Sequence, residues 1–357
     1  MLKTPTARKR HLYPIAVWAA VSLIVTVLAL AGLVLVGVKM PYRGFTADSI
    51  LIQIPPRTPT VEILTTLEKA GVLRDWRLGL VALRVVHHGK TLKAGEYRFT
   101  GERTPEQVIL SIVAGDVVTY RITVPEGFTA DEVFTLFTSH GFGFPADYRW
   151  LFEHPAELEG VPAGAPSLEG FLYPDTYTVT RSMSSREIVT TMTRQFARKL
   201  SARYEERAGA KGMTLLSAVT LASLVEKETA IADERPLVAA VYANRLRKGM
   251  LLQADPTTIY ALKRLGQWRG NLPRSQLTVD EVYNTYARPG LPPGPICNPG
   301  LAALEAAVEP ADVPFLFFVA KGDGSHLFSE SYEEQQRNVA RYFEARRAAR
   351  EAGSLER

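Results

Sequence analysis

Residues 221–230, LASLVEKETA, decide the fold of the C-terminal half of this chain. They close an apolar run over residues 215–225, whose length and Ala/Leu content predict a buried helix rather than a strand. Glu226 and Glu228 stand at the end of that helix. Because they are two residues apart, their side chains point about 200° away from each other and cannot both face one site.

This pair of glutamates permits two interpretations. In the first, one carboxyl lies against apolar walls while the other is solvated, and burial raises the pKa of the first so that it can act as a general acid. In the second, the stretch is an ordinary helix end with a solvated Glu-Lys-Glu face. The stretch by itself favours the second interpretation, and the choice between the two depends on motifs elsewhere in the chain.

The N-terminal region predicts a membrane anchor. Residues 14–38 contain no charged side chain, and a helix of that length spans about 37 Å, enough to cross a bilayer core of roughly 30 Å. A cleaved signal peptide is the competing interpretation, but its apolar core would have only about 7–15 residues. We therefore expect a retained single-pass anchor in the cytoplasmic (inner) membrane. Basic residues before the span place the tail, residues 1–13, in the cytoplasm and the remainder of the chain outside.

Composition excludes several function classes. The chain has 357 residues, a formal net charge of +5, six His and one Cys. Cys297 can form no internal disulfide, and without a His partner it is not a candidate nucleophile. Zinc-type His spacings, a phosphate-binding loop and a dinucleotide fingerprint are all missing from the sequence. We expect no metal, no cofactor and no nucleic-acid partner.

Residues 45–140 predict small α+β modules. Strand patterns at 49–54, 95–100 and 117–124 alternate with helix starts near residues 59, 76, 104 and 129. This order resembles a LysM-like glycan-binding region, and a simple spacer is an equally good interpretation. Three aromatic residues there fit either stacking on sugar rings or a core position: Tyr97, Phe99 and Tyr120.

Residues 141–182 are predicted to be a connection, rich in Pro, Gly and acidic residues between 145 and 166. It leads into EGFLYPDTY at 169–177, where a Pro-Asp turn would leave Tyr173 and Tyr177 near a common surface. Residues 185–207 then predict one long amphipathic helix.

The remaining chain predicts an α+β catalytic region over residues 183–345. It contains a helix at 237–248, a helix beginning at Pro256, a strand at 315–320, and a Pro/Gly-rich segment at 290–300 that reads as an ordered loop. A charged helix from Glu333 is expected to dock through Val339, Tyr342 and Phe343, and residues 346–357 form a tail.

Several motifs in this region occur in a characteristic order. They are EGFLYPDTY (169–177), LVEKETA (224–230), ERPLVAAVYANRL (234–246), LQADPTTIY (252–260), YNTY (283–286), GLPPGPICNPG (290–300) and HLFS (326–329). Together with the N-terminal anchor, they resemble the YceG-like family of endolytic murein transglycosylases. The resemblance covers about residues 169–345.

The resemblance implies cleavage within peptidoglycan glycan strands, between MurNAc and GlcNAc, to leave 1,6-anhydro-MurNAc ends. The second glutamate of the family's E-K-E-T motif is the catalytic one, which here is Glu228. It would protonate the glycosidic oxygen and then take the proton of the MurNAc 6-hydroxyl. One carboxyl suffices because the sugar's own hydroxyl is the nucleophile, whereas an ordinary glycosidase generally needs two carboxylates.

The supporting residues have competing interpretations. For Asp255, capping a helix that starts at Pro256 is favoured over a substrate contact. Asn284 and Asn298 suit backbone bonding as well as sugar binding. His326 is more often structural than a second acid–base group, and Glu226 is expected to be solvated or salt-bridged. The candidates for substrate binding are Gln253, Asp255, Tyr260, Tyr283, Asn284, Tyr286, Asn298, Tyr173 and His326.

Three functions remain open at this point. A membrane-anchored lytic transglycosylase is favoured. A hydrolase of the same fold would need a second carboxylate such as Asp255 or Glu234 near the site. A non-enzymatic glycan-binding scaffold for wall synthases would suit the LysM-like region and the anchor, but leaves the surroundings of Glu228 without a use. An aminodeoxychorismate lyase is rejected, since Lys227 lies between two acids and no cofactor phosphate site is visible.

Overall fold

A computed structural model describes residues 12–200 and 202–355. The helices are α1 (Leu12–Lys39), α2 (Thr60–Lys69), α3 (Trp76–Val81), α4 (Pro105–Ala114), α5 (Ala130–Ser139), α6 (Pro145–Glu153), α7 (Ser185–Lys199), α8 (Ala202–Ala210), α9 (Leu215–Glu228), α10 (Arg235–Arg247), α11 (Asp255–Arg264), α12 (Leu301–Val308) and α13 (Tyr332–Leu355). The strands are β1 (Ser49–Ile54), β2 (Gly95–Thr100), β3 (Tyr120–Thr123), β4 (Thr176–Val179), β5 (Phe317–Ala320) and β6 (His326–Ser329). Strands pair as β1 with β2, β3 with β4, and β5 with β6, so the chain is of mixed α+β type.

The described chain divides into two compact units. The first comprises residues up to 120 together with 180–182, and the second comprises residues 121–179 and 183 onward. Each unit has its own buried apolar core.

The first unit is built on an antiparallel strand pair. β1 and β2 run from the pair Ser49 and Thr100 to the pair Ile54 and Gly95, and α2 and α3 form the connection between them. Both strands have the predicted bounds, which confirms those two predictions. Whether this unit is LysM-like stays a prediction.

Tyr97 and Phe99 belong to the core of the first unit. Both are about 1% exposed, and the Tyr97 hydroxyl donates to the carbonyls of Lys93 and Ile112. Sugar stacking by these two rings is therefore wrong, because alternate residues of β2 face inward against α4. α4 itself starts at the predicted position, where Thr104 and Gln107 form a reciprocal capping box.

α1 is the apolar helix that the sequence predicts near the N-terminus. Its segment from Val17 to Lys39 is long and apolar enough to cross a membrane, and only a small share of it is buried in the protein. Side chains such as Trp18 and Leu28 are well over half exposed. An uncovered apolar surface of this extent is stable in lipid rather than in water.

α9 is the central helix of the second unit. It begins after Thr214, whose hydroxyl accepts the backbone N–H of Ser217, and every residue from Ala218 to Val225 is buried. A helix buried on all sides needs neighbours all round it, and here α8, α10, α11 and α12 supply them. α9 ends at Glu228 because Thr229 is extended.

Four predicted elements of this part of the chain need correction. The single helix over 185–207 is wrong, since α7 ends at Lys199 and α8 begins at Ala202. The connection at 145–166 contains α6, which starts on Pro145, and the strand at 117–124 shrinks to β3. Phe343 does not dock α13, because it is 56% exposed.

The loop at 290–300 is ordered, as predicted, and mostly buried. Its key residue is Asn298, whose side-chain oxygen accepts the backbone N–H groups of Gly170 and Leu172 while its amide donates to the carbonyl of Phe128. Gly170 has φ +89°, and a Cβ there would lie 2.4 Å from Pro295. The loop and the 169–177 motif therefore fit together only through a glycine at 170.

Candidate active site

Glu228 occupies the last position of α9, with its carboxyl turned into a desolvated site. The hydroxyl of Tyr242, from α10, donates to Glu228 Oε1 over 2.6 Å. Burial is the largest influence and raises the pKa of Glu228 to about 7, while the hydrogen bond from Tyr242 opposes that rise. A carboxyl with this pKa is about half protonated at neutral pH and can serve as acid and as base.

Three further charges act on Glu228. The negative charge of Asp255 raises its pKa, whereas His326 and Arg245 lower it. Arg245 is almost completely buried and donates to the carbonyls of Leu316 and Leu252, so its position is fixed by the backbone of two neighbouring segments. The site thus combines one acid of tuned pKa with fixed charges of both signs.

Glu234 and His326 form a hydrogen-bonded pair, and His326 also acts on Glu228. His326 contacts Glu234 through its backbone N–H at 2.8 Å and through Nδ1 at 2.7 Å, and Thr229 donates to the same carboxylate. Desolvation favours a higher pKa for Glu234, but these hydrogen bonds outweigh it and hold the pKa below the ordinary value. Glu234 is therefore a bound carboxylate that orients His326.

Glu226 lies on the other side of α9, as the helical phase predicts. It is not solvated: its carboxylate accepts the N–H of Gly300 and lies 3.7 Å from Arg235. Burial raises its pKa, opposed by those two partners. Of the two predicted environments for Glu226, the salt bridge is the one observed.

Asp255 does not cap α11. The residue preceding the helix is Ala254, the cap position carries no side-chain hydrogen bond, and Asp255 is itself the first helical residue. Its carboxylate instead accepts the hydroxyl of Tyr286 at 2.5 Å. The capping prediction is wrong because the helix starts one residue early, which leaves the Asp255 side chain exposed on the side of Glu228.

Four predicted substrate-binding residues retain accessible surface, and three of them interact electrostatically with Glu228. Asp255, Tyr286 and His326 are described above. Gln253 is exposed, with φ +52°, and its backbone N–H donates to the carbonyl of Thr285. A left-handed conformation is uncommon in a non-glycine residue.

The other five predicted substrate-binding residues are buried within the protein. Asn284 donates to the carbonyls of Leu277 and Val279 and accepts from Thr258, which leaves no amide atom for a sugar. The remaining four, equally enclosed, are Tyr173, Tyr260, Tyr283 and Asn298. We expect no direct sugar stacking or hydrogen bonding from these five. Tyr173 and Tyr177 also fail to share a surface, since the Tyr177 hydroxyl donates to the Tyr173 carbonyl inside the protein.

Tyr242 and Glu169 are two important residues that were not predicted for any site. A signal existed for Tyr242: it lies in the inner stripe of α10, and a buried phenol needs a hydrogen-bond partner. Glu169 is fully buried, and desolvation raises its pKa to about 8, opposed by the Ala130 N–H and the Tyr260 hydroxyl. No local pattern marks Glu169, because its partners lie 39 and 91 residues away.

Within residues 12–200 and 202–355, no three His, Cys, Asp or Glu side chains are grouped as metal ligands would be. Cys297 is buried with its thiol against the Ser223 carbonyl.

Several known proteins are similar to this chain. The endolytic murein transglycosylase of Streptococcus pneumoniae serotype 2 (strain D39) is 29% identical over 335 residues, which cover 85% of this chain and 60% of that protein. The endolytic murein transglycosylase of Bacillus subtilis (strain 168) is 34% identical over 180 residues, 50% of this chain and 49% of that protein. The chain thus spans about 60% or less of the length of these curated relatives.

Similarity extends to a crystal structure and to a family model. The structure of a putative yceG-like protein from Listeria monocytogenes has a TM-score of 0.51 and 28% identity, with 82% of this chain and 99% of that chain covered. The model described as the YceG-like family matches residues 52–341. With most of its length matched in this way, the chain belongs to the YceG-like family.

Proposed function

We propose that this protein is an endolytic lytic transglycosylase that cleaves peptidoglycan glycan strands between MurNAc and GlcNAc and leaves 1,6-anhydro-MurNAc ends. The observation that carries the proposal is Glu228: a desolvated carboxyl with a pKa of about 7, held by the Tyr242 hydroxyl at 2.6 Å. The relatives named endolytic murein transglycosylase support the same assignment.

In the proposed reaction Glu228 acts twice. Protonated Glu228 gives its proton to the glycosidic oxygen as the bond to the anomeric carbon breaks. The resulting carboxylate, stabilised by the Tyr242 hydroxyl, then takes the proton of the MurNAc 6-hydroxyl while that oxygen bonds to the same carbon. Glu228 ends protonated and no water is consumed. The intramolecular attack benefits from proximity, which removes the need for a protein nucleophile.

The other carboxylates near Glu228 fit supporting roles. Glu234 is occupied by His326 and Thr229, which makes it a poor nucleophile or water-activating base. Asp255 accepts from Tyr286, and its negative charge suits stabilisation of the positively charged, oxocarbenium-like transition state. Gln253, Tyr286 and His326 then line the accessible side as contacts for the sugar.

A hydrolase is the second candidate, and Asp255 is the observation in its favour. This side chain is exposed and close enough for its charge to raise the pKa of Glu228. A carboxylate so placed could activate a water molecule in an inverting glycosidase. The two reactions differ by one water in the mass of the product.

We further propose that α1 anchors the protein in the cytoplasmic membrane, with the N-terminus in the cytoplasm and the catalytic unit on the outer face. The apolar span and the basic residues of the N-terminal tail support this orientation. On that face the enzyme would meet glycan strands and the wall synthases that produce them.

The test is mass analysis of products after incubating the detergent-solubilised full chain with purified glycan strands. Products one water lighter than the hydrolytic ones are expected. Glu228→Gln should lower the rate by roughly 10²–10⁴-fold, while Glu206→Gln, an exposed glutamate of α8 in the same unit, should leave it unchanged. Products with a reducing MurNAc end would favour the hydrolase, and no cleavage with retained strand binding would favour a scaffold.

A further inference from the structure

A large cavity in the second unit is not used by the reaction at Glu228. It has a volume of about 900 Å³ and is lined by residues of α5, α6 and α11 and of the segment that follows α11. Pockets of this size accommodate small organic molecules or short peptides.

The cavity has aromatic walls. Phe134 stacks on Tyr148 with ring centroids 4.8 Å apart, and Phe152 meets Phe134 edge-on at 6.4 Å. Trp268 lines it from the segment after α11. Phe134, Phe152 and Trp268 keep part of their surface accessible, which offers an apolar face to an occupant.

Charges of both signs surround the aromatic walls. Arg149, Asp131 and Glu153 are exposed, and none of them makes an ion pair with any residue in the described part of the chain. Two further cations of the lining are already paired, Lys263 with Glu132 at 3.1 Å and Arg264 with Glu281 at 3.2 Å. The cavity therefore presents one cationic and two anionic groups that are available to a ligand.

The buried polar groups that line the cavity, Glu169 and Tyr260, already have hydrogen-bond partners within the protein. Tyr260 donates to Glu169 over 3.1 Å, and Glu169 also accepts the N–H of Ala130 at the start of α5. Recognition of an occupant therefore falls to the rings and to the unpaired charges, not to the buried carboxyl.

α11 connects the cavity to the surroundings of Glu228. Asp255 at its first position faces Glu228, whereas Tyr260 and Lys263 line the cavity. At 1.5 Å per residue, the helix positions of Tyr260 and Lys263 lie about 7.5 and 12 Å beyond that of Asp255. A substrate with a branch can therefore occupy both places at once.

We propose that the cavity binds the peptide stem of a peptidoglycan strand, a short peptide with free carboxylates and an amine, while the sugars lie at Glu228. The identity of the strand rests on the proposed function. A peptide of this class carries partners for both available charge types, whereas an uncharged N-acetylated sugar carries none. In this arrangement Arg149 binds a carboxylate of the stem, and Asp131 and Glu153 bind its amine.

The proposal is tested by calorimetric titration of the full chain in detergent. The probe is the tetrapeptide L-alanyl-γ-D-glutamyl-meso-diaminopimelyl-D-alanine, and N,N′-diacetylchitobiose is the uncharged comparator. Arg149→Glu should weaken tetrapeptide binding by about fivefold or more. Arg274→Glu changes the same charge on an exposed arginine outside the cavity and should leave binding within about twofold. If Arg149→Glu misfolds, Arg149→Gln replaces it.

A second measurement compares cleavage of strands that carry stems with cleavage of strands from which an amidase has removed them. Arg149→Glu should slow cleavage of the first and not of the second. Equal effects on both strands, equal binding by the Arg149 and Arg274 variants, or chitobiose displacing the tetrapeptide would overturn the proposal.

Failure of the proposed function gives a different result. Tetrapeptide binding by the wild type and by Glu228→Gln, with loss on Arg149→Glu, supports the cavity even if no strand is cleaved. Cleavage without tetrapeptide binding rejects the cavity and leaves the role of Glu228 intact.

Discussion

The hydrogen bond from Tyr242 to Glu228 leads to a quantitative prediction about pH. Tyr242→Phe removes the hydroxyl that donates over 2.6 Å, while the ring keeps its edge-to-face contact with Phe318. A donor favours the charged form of a carboxyl, so its loss raises the pKa of Glu228 further above its present value of about 7.

The size of the shift follows from two energies. A hydrogen bond to a charged group contributes about 1.5–3 kcal/mol, and one pKa unit corresponds to about 1.36 kcal/mol. The pKa of Glu228 should therefore rise by about one to two units. Because the first step needs protonated Glu228, the alkaline limb of the rate profile should move from about pH 7 to about pH 8–9. The plateau at low pH should fall modestly, since a weaker acid protonates the leaving oxygen less readily.

The assay is the initial rate of strand cleavage between pH 5 and pH 9.5. Tyr260→Phe is the matched control, because it also removes a buried hydroxyl that donates to a carboxyl, but to that of Glu169. An alkaline limb that stays in place for Tyr242→Phe, or one that moves equally for Tyr260→Phe, would refute this account of how the pKa of Glu228 is set.

Two further predictions concern stability of the second unit. The folded-state pKa of Glu169 is about 8 against an ordinary value of 4.5, so the folded state binds more protons between those values and the free energy of unfolding falls as pH rises through that window. Glu169→Gln should flatten this dependence in thermal unfolding from pH 5 to pH 9, and parallel curves for the two proteins would contradict the prediction. Gly170→Ala should lower the free energy of unfolding by more than the roughly 1–3 kcal/mol of backbone strain, because its Cβ also meets Pro295 at 2.4 Å. Gly164 has a similar φ and open space around it, so Gly164→Ala should lower the free energy of unfolding by the backbone strain alone, as measured by denaturant unfolding. Equal decreases for the two variants would show that the close approach to Pro295 is unimportant.

Local sequence signals predicted much of the secondary structure. The apolar run that ends in Glu226 and Glu228 became α9, and the capping sequence at Thr129 started α5 as predicted. The helical phase alone predicted that the side chains of Glu226 and Glu228 point to different sides of α9. These features depend on neighbours a few residues apart, which the sequence displays directly.

The hydrogen-bond partners of the two glutamates are distant in sequence and were not predicted. Tyr242 lies 14 residues after Glu228, and Gly300 lies 74 residues after Glu226. Sequence spacing cannot reveal which buried phenol meets which buried carboxyl. For the same reason Asn284 was an even choice between sugar and backbone, a choice that only the positions of Leu277 and Val279 could decide.

The hydrogen bond of Asn298 also constrains the order in which the second unit can assemble during protein synthesis. Its amide reaches the Phe128 carbonyl, 170 residues earlier in the chain. At a ribosomal rate of roughly 5–20 residues per second, Asn298 is synthesised about 9–34 s after Phe128. For the last 70 residues of this interval α9 is complete but lacks the loop that covers it. A nascent chain therefore carries Glu228 before it has an enclosed site, and a chain that stops short of the loop would have the proposed acid without the environment that tunes it.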